Sequence, residues 1–347
     1  MATLPRLTAT LALCCAVTCI ASHPRAQADM LKPAGSPWAV PKKIPEGKEI
    51  SGIACAPLSS DLMRCIIATD EGFSGVLVTL QNRSIQVDDE ISLVPSQGKE
   101  FDAEGAAFDA KTNAFYVIGS HGKSRHKCED NPAAFSLIRI PIDPKTGRPS
   151  FEVKAGAVAK EIVFAKSIKP AMLASEKIGP HVDKCLGTKP SKKKKGDFAH
   201  EQGANVEGLA ILGGNLFVGF RGPVQNGTAY MLKFDRDAVF AQEGAKASTI
   251  EVKLGNGMGV RDLAAVAGGL LVLSGPEDDD PGKAAIHYYD DGKGTVDSLG
   301  QIPDPADGGK PEALLLLEET PTRYRVLVLS DSAKNGEPTE FLIDKKQ

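Results

Sequence analysis

Val206-Glu207-Gly208-Leu209-Ala210 is followed five residues later by the apolar run Asn215 to Arg221, and this pairing recurs along the chain. The same phrase reads Ile50-Ser51-Gly52-Ile53-Ala54, Ala103-Glu104-Gly105-Ala106-Ala107, Val260-Arg261-Asp262-Leu263-Ala264 and Pro311-Glu312-Ala313-Leu314-Leu315. The matching runs are Arg64 to Asp70, Ala114 to His121, Gly269 to Pro276 and Tyr324 to Asp331. A period near fifty residues with several short strands per unit is the signature of a radial β array. The chain therefore reads as all-β, a single β-propeller.

Aligned on its second position, the phrase gives Ser51, Glu104, Glu207, Arg261 and Glu312, at intervals of 53, 103, 54 and 51 residues. The doubled interval leaves five blades with an insertion at 166–203, favoured because that stretch shows a short helix (Pro170 to Lys177) and no strand set, or six blades with one degenerate. The third unit spells four strands, Val206 to Leu212, Asn215 to Phe220, Thr228 to Phe234 and Ser248 to Leu254. The last unit spells three before the chain ends, so residues 37–49 are expected to supply its fourth and remove an exposed sheet edge. Small residues in the phrase suit strands crowded around an axis. The bulkier second strands, such as Leu270-Leu271-Val272-Leu273, suit burial between blades.

Residues 1–28 read as a cleaved leader. Arg6 precedes the apolar run Leu7 to Ala21, Pro24 breaks it, and Ala26-Gln27-Ala28 supplies the small residues of a cleavage site. The run is too short to span a bilayer. Cleavage after Ala28 gives an exported, periplasmic or secreted protein; Cys19 is the alternative point of attachment for a lipid anchor. The propeller then occupies 29–347, with no linker dividing it.

Three of the seven cysteines leave with the leader, and Cys55, Cys65, Cys128 and Cys185 remain for an oxidising compartment. Cys55 and Cys65 fall opposite each other in an antiparallel hairpin, while Cys128 and Cys185 lie in two loops expected on one face. The leader carries Arg6 and Arg25 and no acid, leaving 39 basic against 44 acidic residues. That balance argues against nucleic-acid binding, and Lys192 to Lys195 reads as a solvated loop.

Consecutive strands of a blade run antiparallel, so the start of each first strand lies beside the end of the second. One channel mouth thus gathers Glu104, Glu207, Glu312, Arg261, Asp102 and Asp262 with His121, Arg221 and Asp331. The long loops 121–134 and 166–205 should roof it. Crowded carboxylates need compensation. A divalent cation, calcium in an exported protein, would take Glu104, Glu207 and Glu312 as ligands. Ion pairs from Glu207 and Glu312 to Arg221 and Arg261 would serve without a metal. His121 reads as a general acid or base, or as a hydrogen-bonded strand end. Arg221, Arg261 and Asp331 are the candidate ligand-binding residues, with the basic loop His121 to Lys127 beside them. Asp278-Asp279-Asp280 before Pro281-Gly282 reads as a surface turn rather than a calcium loop. No nucleophile elbow, Walker loop, His-Glu-x-x-His or paired Cys-x-x-Cys occurs.

Phe101-Asp102-Ala103-Glu104-Gly105-Ala106-Ala107 with Gly119-Ser120-His121-Gly122 resembles the bacterial family known as domain of unknown function 3616. So do Asn205 to Ala210 with Gly219-Phe220-Arg221-Gly222-Pro223, Gly259 to Ala264 with Ser274-Gly275-Pro276, and Lys310 to Leu314 with Leu329-Ser330-Asp331. The resemblance covers roughly residues 50–345 and implies a propeller with no assigned activity. The Glu-Gly-Leu-Ala phrase alone is also similar to esterase-like phytases, exported propellers that cleave phosphate esters; Ser51 departs from it where an acid would sit.

Two functions follow from this rim. One is a metal-assisted hydrolase of phosphoesters or other anionic esters, with Glu207 and His121 catalytic, Arg221 and Arg261 holding the anion, and calcium on Glu104, Glu207 and Glu312. The other is a non-catalytic envelope module that binds an anionic small molecule or a protein partner.

Overall fold

The computed structural model describes residue 1 and residues 29–47, 49–124, 128–186, 201–241, 245–278, 283–306 and 308–346. The leader from residue 2 to 28, Arg125-His126-Lys127, Lys192 to Lys195 and Asp279-Asp280 lie outside these.

Five antiparallel sheets form five blades. Blade 1 contains β1 (Ile50–Pro57), β2 (Leu62–Thr69), β3 (Ser74–Gln81) and β4 (Ser84–Ser92). Blade 2 contains β5 (Ala103–Asp109), β6 (Ala114–Gly119), β7 (Leu137–Pro141) and β8 (Val163–Ala165). Blade 3 contains β9 (Asn205–Leu212), β10 (Asn215–Gly222), β11 (Thr228–Asp235) and β12 (Ala247–Lys253). Blade 4 contains β13 (Met258–Val266), β14 (Gly269–Pro276), β15 (Ala285–Asp290) and β16 (Thr295–Gln301). Blade 5 has three strands, β17 (Lys310–Glu319), β18 (Arg323–Asp331) and β19 (Thr339–Asp344). The doubled interval in the repeat is therefore one blade plus an insertion. The insertion follows β8 and carries α1 (Ile168–Ala174), two residues ahead of the expected start, where the buried Ser167 hydroxyl donates to Val239 O at 2.8 Å.

The first strand of each blade lines the axis and meets the first strands of both neighbours, with β17 against β1 closing the ring. Small residues are required there. A Cβ on Gly52 would lie 2.9 Å from the Ala106 nitrogen, and one on Gly105 would lie 2.7 Å from the Glu207 carbonyl oxygen. The apolar core is divided into five clusters, one at each interface between blades. Second strands are flanked by strands on both sides and by blades on both faces, and Leu270 to Leu273 are wholly buried.

The segment that meets the open edge of β19 is Pro33-Ala34, not residues 37–49. Pro33 bridges Phe341, and Ala34 N donates to Glu340 O at 2.7 Å. The segment is a strap rather than a fourth strand. It starts beside β16 at Met30 and Gln301, crosses β19, and ends beside β4, where Ala39 pairs with Ser84.

Both expected disulfides are present, Cys55–Cys65 across β1 and β2 and Cys128–Cys185 between the two roof loops. They fit an extracytoplasmic compartment. Among the described residues no helix is long and apolar enough to cross a membrane.

Candidate functional site

The five aligned phrase residues share one structural event. In each blade the register between first and second strand slips at that residue. Ile50 pairs with Thr69 and Gly52 with Ala68, so Ser51 has no opposite residue. Glu104, Glu207, Arg261 and Glu312 are passed over in the same way. A β-bulge leaves one residue out of the ladder, bends the strand and redirects that side chain. Five bulges at one level build a ring of side chains: Ser51, Glu104, Glu207, Arg261 and Glu312. All five are buried.

The ring is electrostatically lopsided. On the side of blades 3 and 4 it is matched. Glu207 Oε1 accepts from Arg221 Nη1 at 3.0 Å and from Asn205 Nδ2 at 3.2 Å, and its Oε2 accepts from Arg261 Nη1 at 3.0 Å. Arg261 Nη1 also donates to Glu312 Oε1, and its Nη2 donates to Pro276 O at 2.8 Å. Arg221 Nε donates to Glu277 O at 2.9 Å. The ion pairs expected between these acids and arginines are thus formed, and they join the inner walls of blades 3, 4 and 5. Asp262, wholly buried, reinforces the same wall by accepting from Leu263 N and Leu314 N, both at 2.8 Å, and from the Leu209 backbone.

Blades 5, 1 and 2 hold the opposite side, where acids face acids. Burial pushes the Glu104 carboxyl well above the usual carboxylate range, and Glu207, Asp102, Asp70 and Glu312 push it further. Burial raises Asp70 to about 8, with Asp331, Glu312, Glu49 and Asp102 adding to the effect. Glu312 is raised to about 7 by burial, against the pull of Arg261. Buried oxygens of Ser51, Asp70 and Asp331 have no hydrogen-bond partner among the described residues. Asp102 is anchored by the Ser120 hydroxyl.

The expected metal ligands do not form a set. Both oxygens of Glu207 accept from arginines, and among the described residues no group of three or more His, Cys, Asp or Glu side chains is gathered closely enough to hold a metal ion. Calcium on Glu104, Glu207 and Glu312 does not fit this arrangement. His121 stands apart from the ring. Its Nδ1 lies 2.8 Å from Gly119 O, its ring is 6.2 Å from that of Phe135, and Lys169 is the charge acting on it. Burial lowers it to about 4, leaving the imidazole neutral at pH 7. Lys169 in turn sits 4.0 Å from the Phe135 ring centre and 2.6 Å from Asp183 Oδ1. The structure thus brings together Glu104, Glu207, Glu312, Arg221, Arg261 and Asp331, and holds His121 under the roof.

Ser51 and Asp70 join the candidate site residues at this mouth: Ser51 is the departure from the acidic column of the aligned phrase, and Asp70 ends the second-strand run of its blade on the shared rim, as Asp331 does in blade 5.

No curated protein matches the sequence. Among solved structures, glutaminyl cyclase of Myxococcus xanthus is 12% identical over 92% of this chain and 100% of its own, with a TM-score of 0.44. An exo-β-1,3-galactanase from Phanerochaete chrysosporium is 10% identical over 91% of this chain and 64% of its own, also at 0.44. Hydrazine synthase of Kuenenia stuttgartiensis is 13% identical over 82% of this chain and 56% of its own, at 0.38. The chain thus spans less than two thirds of the last two. The family described as a protein of unknown function, DUF3616, matches residues 67–340, most of the chain, and the protein belongs to that family.

Proposed function

We propose that this protein is an exported binding propeller whose ligand enters at the mouth built by the five bulges. The observation that carries this reading is the bulge ring itself. Five separate strands each interrupt their ladder at one residue, and the disrupted residues converge on a single buried polar ring. Bulges concentrate beside functional sites because they re-aim side chains at the expense of pairing. Buried polar oxygens without partners, on Ser51, Asp70 and Asp331, leave hydrogen-bonding capacity for a ligand. Export after cleavage at Ala28 belongs to this reading and is supported by the two disulfides.

A thermal-shift screen of small charged and hydroxylated molecules tests it, run on the purified protein and on Glu104→Gln. A ligand that raises the melting temperature of the first and not the second supports the mouth as the site. Hits that act equally on both place binding elsewhere.

One observation favours a second reading, hydrolysis. Burial and neighbouring carboxylates raise the Glu104 carboxyl well above its usual range, the direction a general acid needs. A turnover screen on phosphomonoesters, phosphodiesters and carboxylic esters, with calcium or chelator, distinguishes the two. Turnover lost in Glu104→Gln would favour hydrolysis, and Glu207→Ala and His121→Ala would report on the other candidate catalytic groups. Silence across the panel with binding intact favours the module.

A further inference from the structure

The ring repeats one position five times, and its occupants can be compared as equivalents. Arg261 fills its position with a cation that reaches the bulge residues on both sides, Glu207 and Glu312. In a five-membered ring the point opposite blade 4 lies between blades 1 and 2. That point is flanked by Ser51, the one short ring side chain, and by Glu104. Ser51 is 2% exposed and its hydroxyl has no partner among the described residues, while Glu104 is 8% exposed. The charges acting most strongly on Glu104 and Asp70 are all carboxylates. Arg221 and Arg261 are 5% and 1% exposed and already donate to Glu207, Glu312 and the carbonyls of Pro276 and Glu277.

We propose that the sector bounded by Ser51, Glu104, Asp70 and Asp331 binds an organic cation with N–H donors, an alkylammonium group, which takes the place opposite Arg261. This inference rests on the binding reading above and reverses the charge of the ligand that the sequence suggests. An anion entering here would meet oxygens of Ser51, Asp70 and Asp331 that lack a donor among the described residues, and two arginines already committed to others. An ammonium group carries three donors and no acceptor, which suits a rim of acceptors. Bare metal ions need oxygens converging at about 2.3–2.6 Å, and the described residues gather no such set. An ammonium supplies the countercharge that these raised carboxyls lack, so its entry draws them to the ionised form and makes the contact charge-assisted.

The test is isothermal calorimetry on the purified protein at pH 7 with n-butylamine, tetramethylammonium, butyrate, glycerol and calcium chloride. Butylamine is expected to bind saturably, and tetramethylammonium, with no N–H donor, at least tenfold more weakly. Glu104→Gln, a near-isosteric change, should weaken butylamine at least tenfold. Ser51→Arg should abolish binding, because its tethered guanidinium would stand between the bulge acids of the flanking blades, Glu312 and Glu104, as Arg261 stands between Glu207 and Glu312. Circular dichroism confirms that each variant folds, and Glu104→Gln carries the test if Ser51→Arg does not. Butylamine binding that survives Glu104→Gln overturns the proposal. So does calcium binding without amine binding. Binding of butyrate or glycerol that Glu104→Gln removes overturns the cation while leaving the mouth as the site; no binding by any of the five overturns both.

Discussion

Glu207 and Arg261 are the bulge residues of neighbouring blades, and they are bonded to each other, Oε2 to Nη1, at 3.0 Å. The contact ties blade 3 to blade 4 at the axis, and the same carboxylate also holds Arg221 within its own blade. Both arginines are buried, so removing Glu207 leaves one without its carboxylate and the other dependent on Glu312. Breaking a buried pair from one side costs about 3–5 kcal/mol, more than the pair itself contributes. Glu207→Ala should therefore lose stability of that order in urea unfolding. Adding Arg221→Met should restore part of it, since the stranded charge is then removed. Strict additivity of the two changes would contradict this account.

The acids of blades 5, 1 and 2 set a pH dependence. Asp70 and Glu312 are raised to about 8 and about 7, and Glu104 is raised as well, from ordinary values near 4. The folded state thus binds protons that the unfolded chain has released, and stability falls as pH rises through that interval. His121 and His287, both lowered to about 4 by burial, act oppositely, losing stability as pH falls below about 6.5. The carboxyl effect is therefore read cleanly between about pH 6.5 and 8. The melting temperature should decline across that window, and Asp70→Asn should flatten the decline. A wild-type melting temperature that holds level there would show that Asp70 and Glu312 titrate in their ordinary range.

Legibility followed periodicity. The blade count, the inner strands and the Glu207–Arg221, Glu207–Arg261 and Glu312–Arg261 pairs came from aligning one phrase and knowing that antiparallel neighbours share a rim. The bulges did not come from it, because a register slip of one residue leaves no mark on an apolar strand other than a polar residue out of step. Glu104 and Glu207 carry that mark, and Ser51 does not. His121 illustrates the other limit. Its place at the end of β6 put it on the correct rim, but the side chain's direction depends on the positive φ of 51° at that residue and on packing beside Phe135. Neither is written in spacing.

Inner-wall crowding gives a steric prediction. Gly105 lies where a Cβ would stand 2.7 Å from Glu207 O and 3.1 Å from Leu209 N, both backbone atoms of the next blade. Backbone cannot step aside as a flexible side chain does. Gly105→Ala should cost about 1–3 kcal/mol, the usual range for overpacking. Gly98→Ala is the control for glycine replacement itself, since that exposed position has an ordinary φ and a Cβ there would stand 3.5 Å from Pro95 O. A loss at Gly105 no larger than at Gly98 would mean that blades 2 and 3 stand farther apart than described.

The roof is held by one covalent bond. Cys128 lies in the loop between β6 and β7, Cys185 lies in the insertion after β8, and 57 positions separate them. Cys55–Cys65 closes only ten positions inside a hairpin already paired by its ladder. Loop-closure entropy assigns about 4 kcal/mol to the longer bridge and about 3 kcal/mol to the shorter. The larger difference should lie in what each restrains. Removing Cys128–Cys185 by paired serine substitutions should raise hydrogen exchange in residues 121–124 and 166–186 while the blade strands stay protected. Removing Cys55–Cys65 should leave the roof unchanged, because β1 and β2 retain their backbone pairing. Exchange that rises throughout the blades on loss of Cys128–Cys185 would make the roof a structural part of the propeller instead of a separable cover over His121.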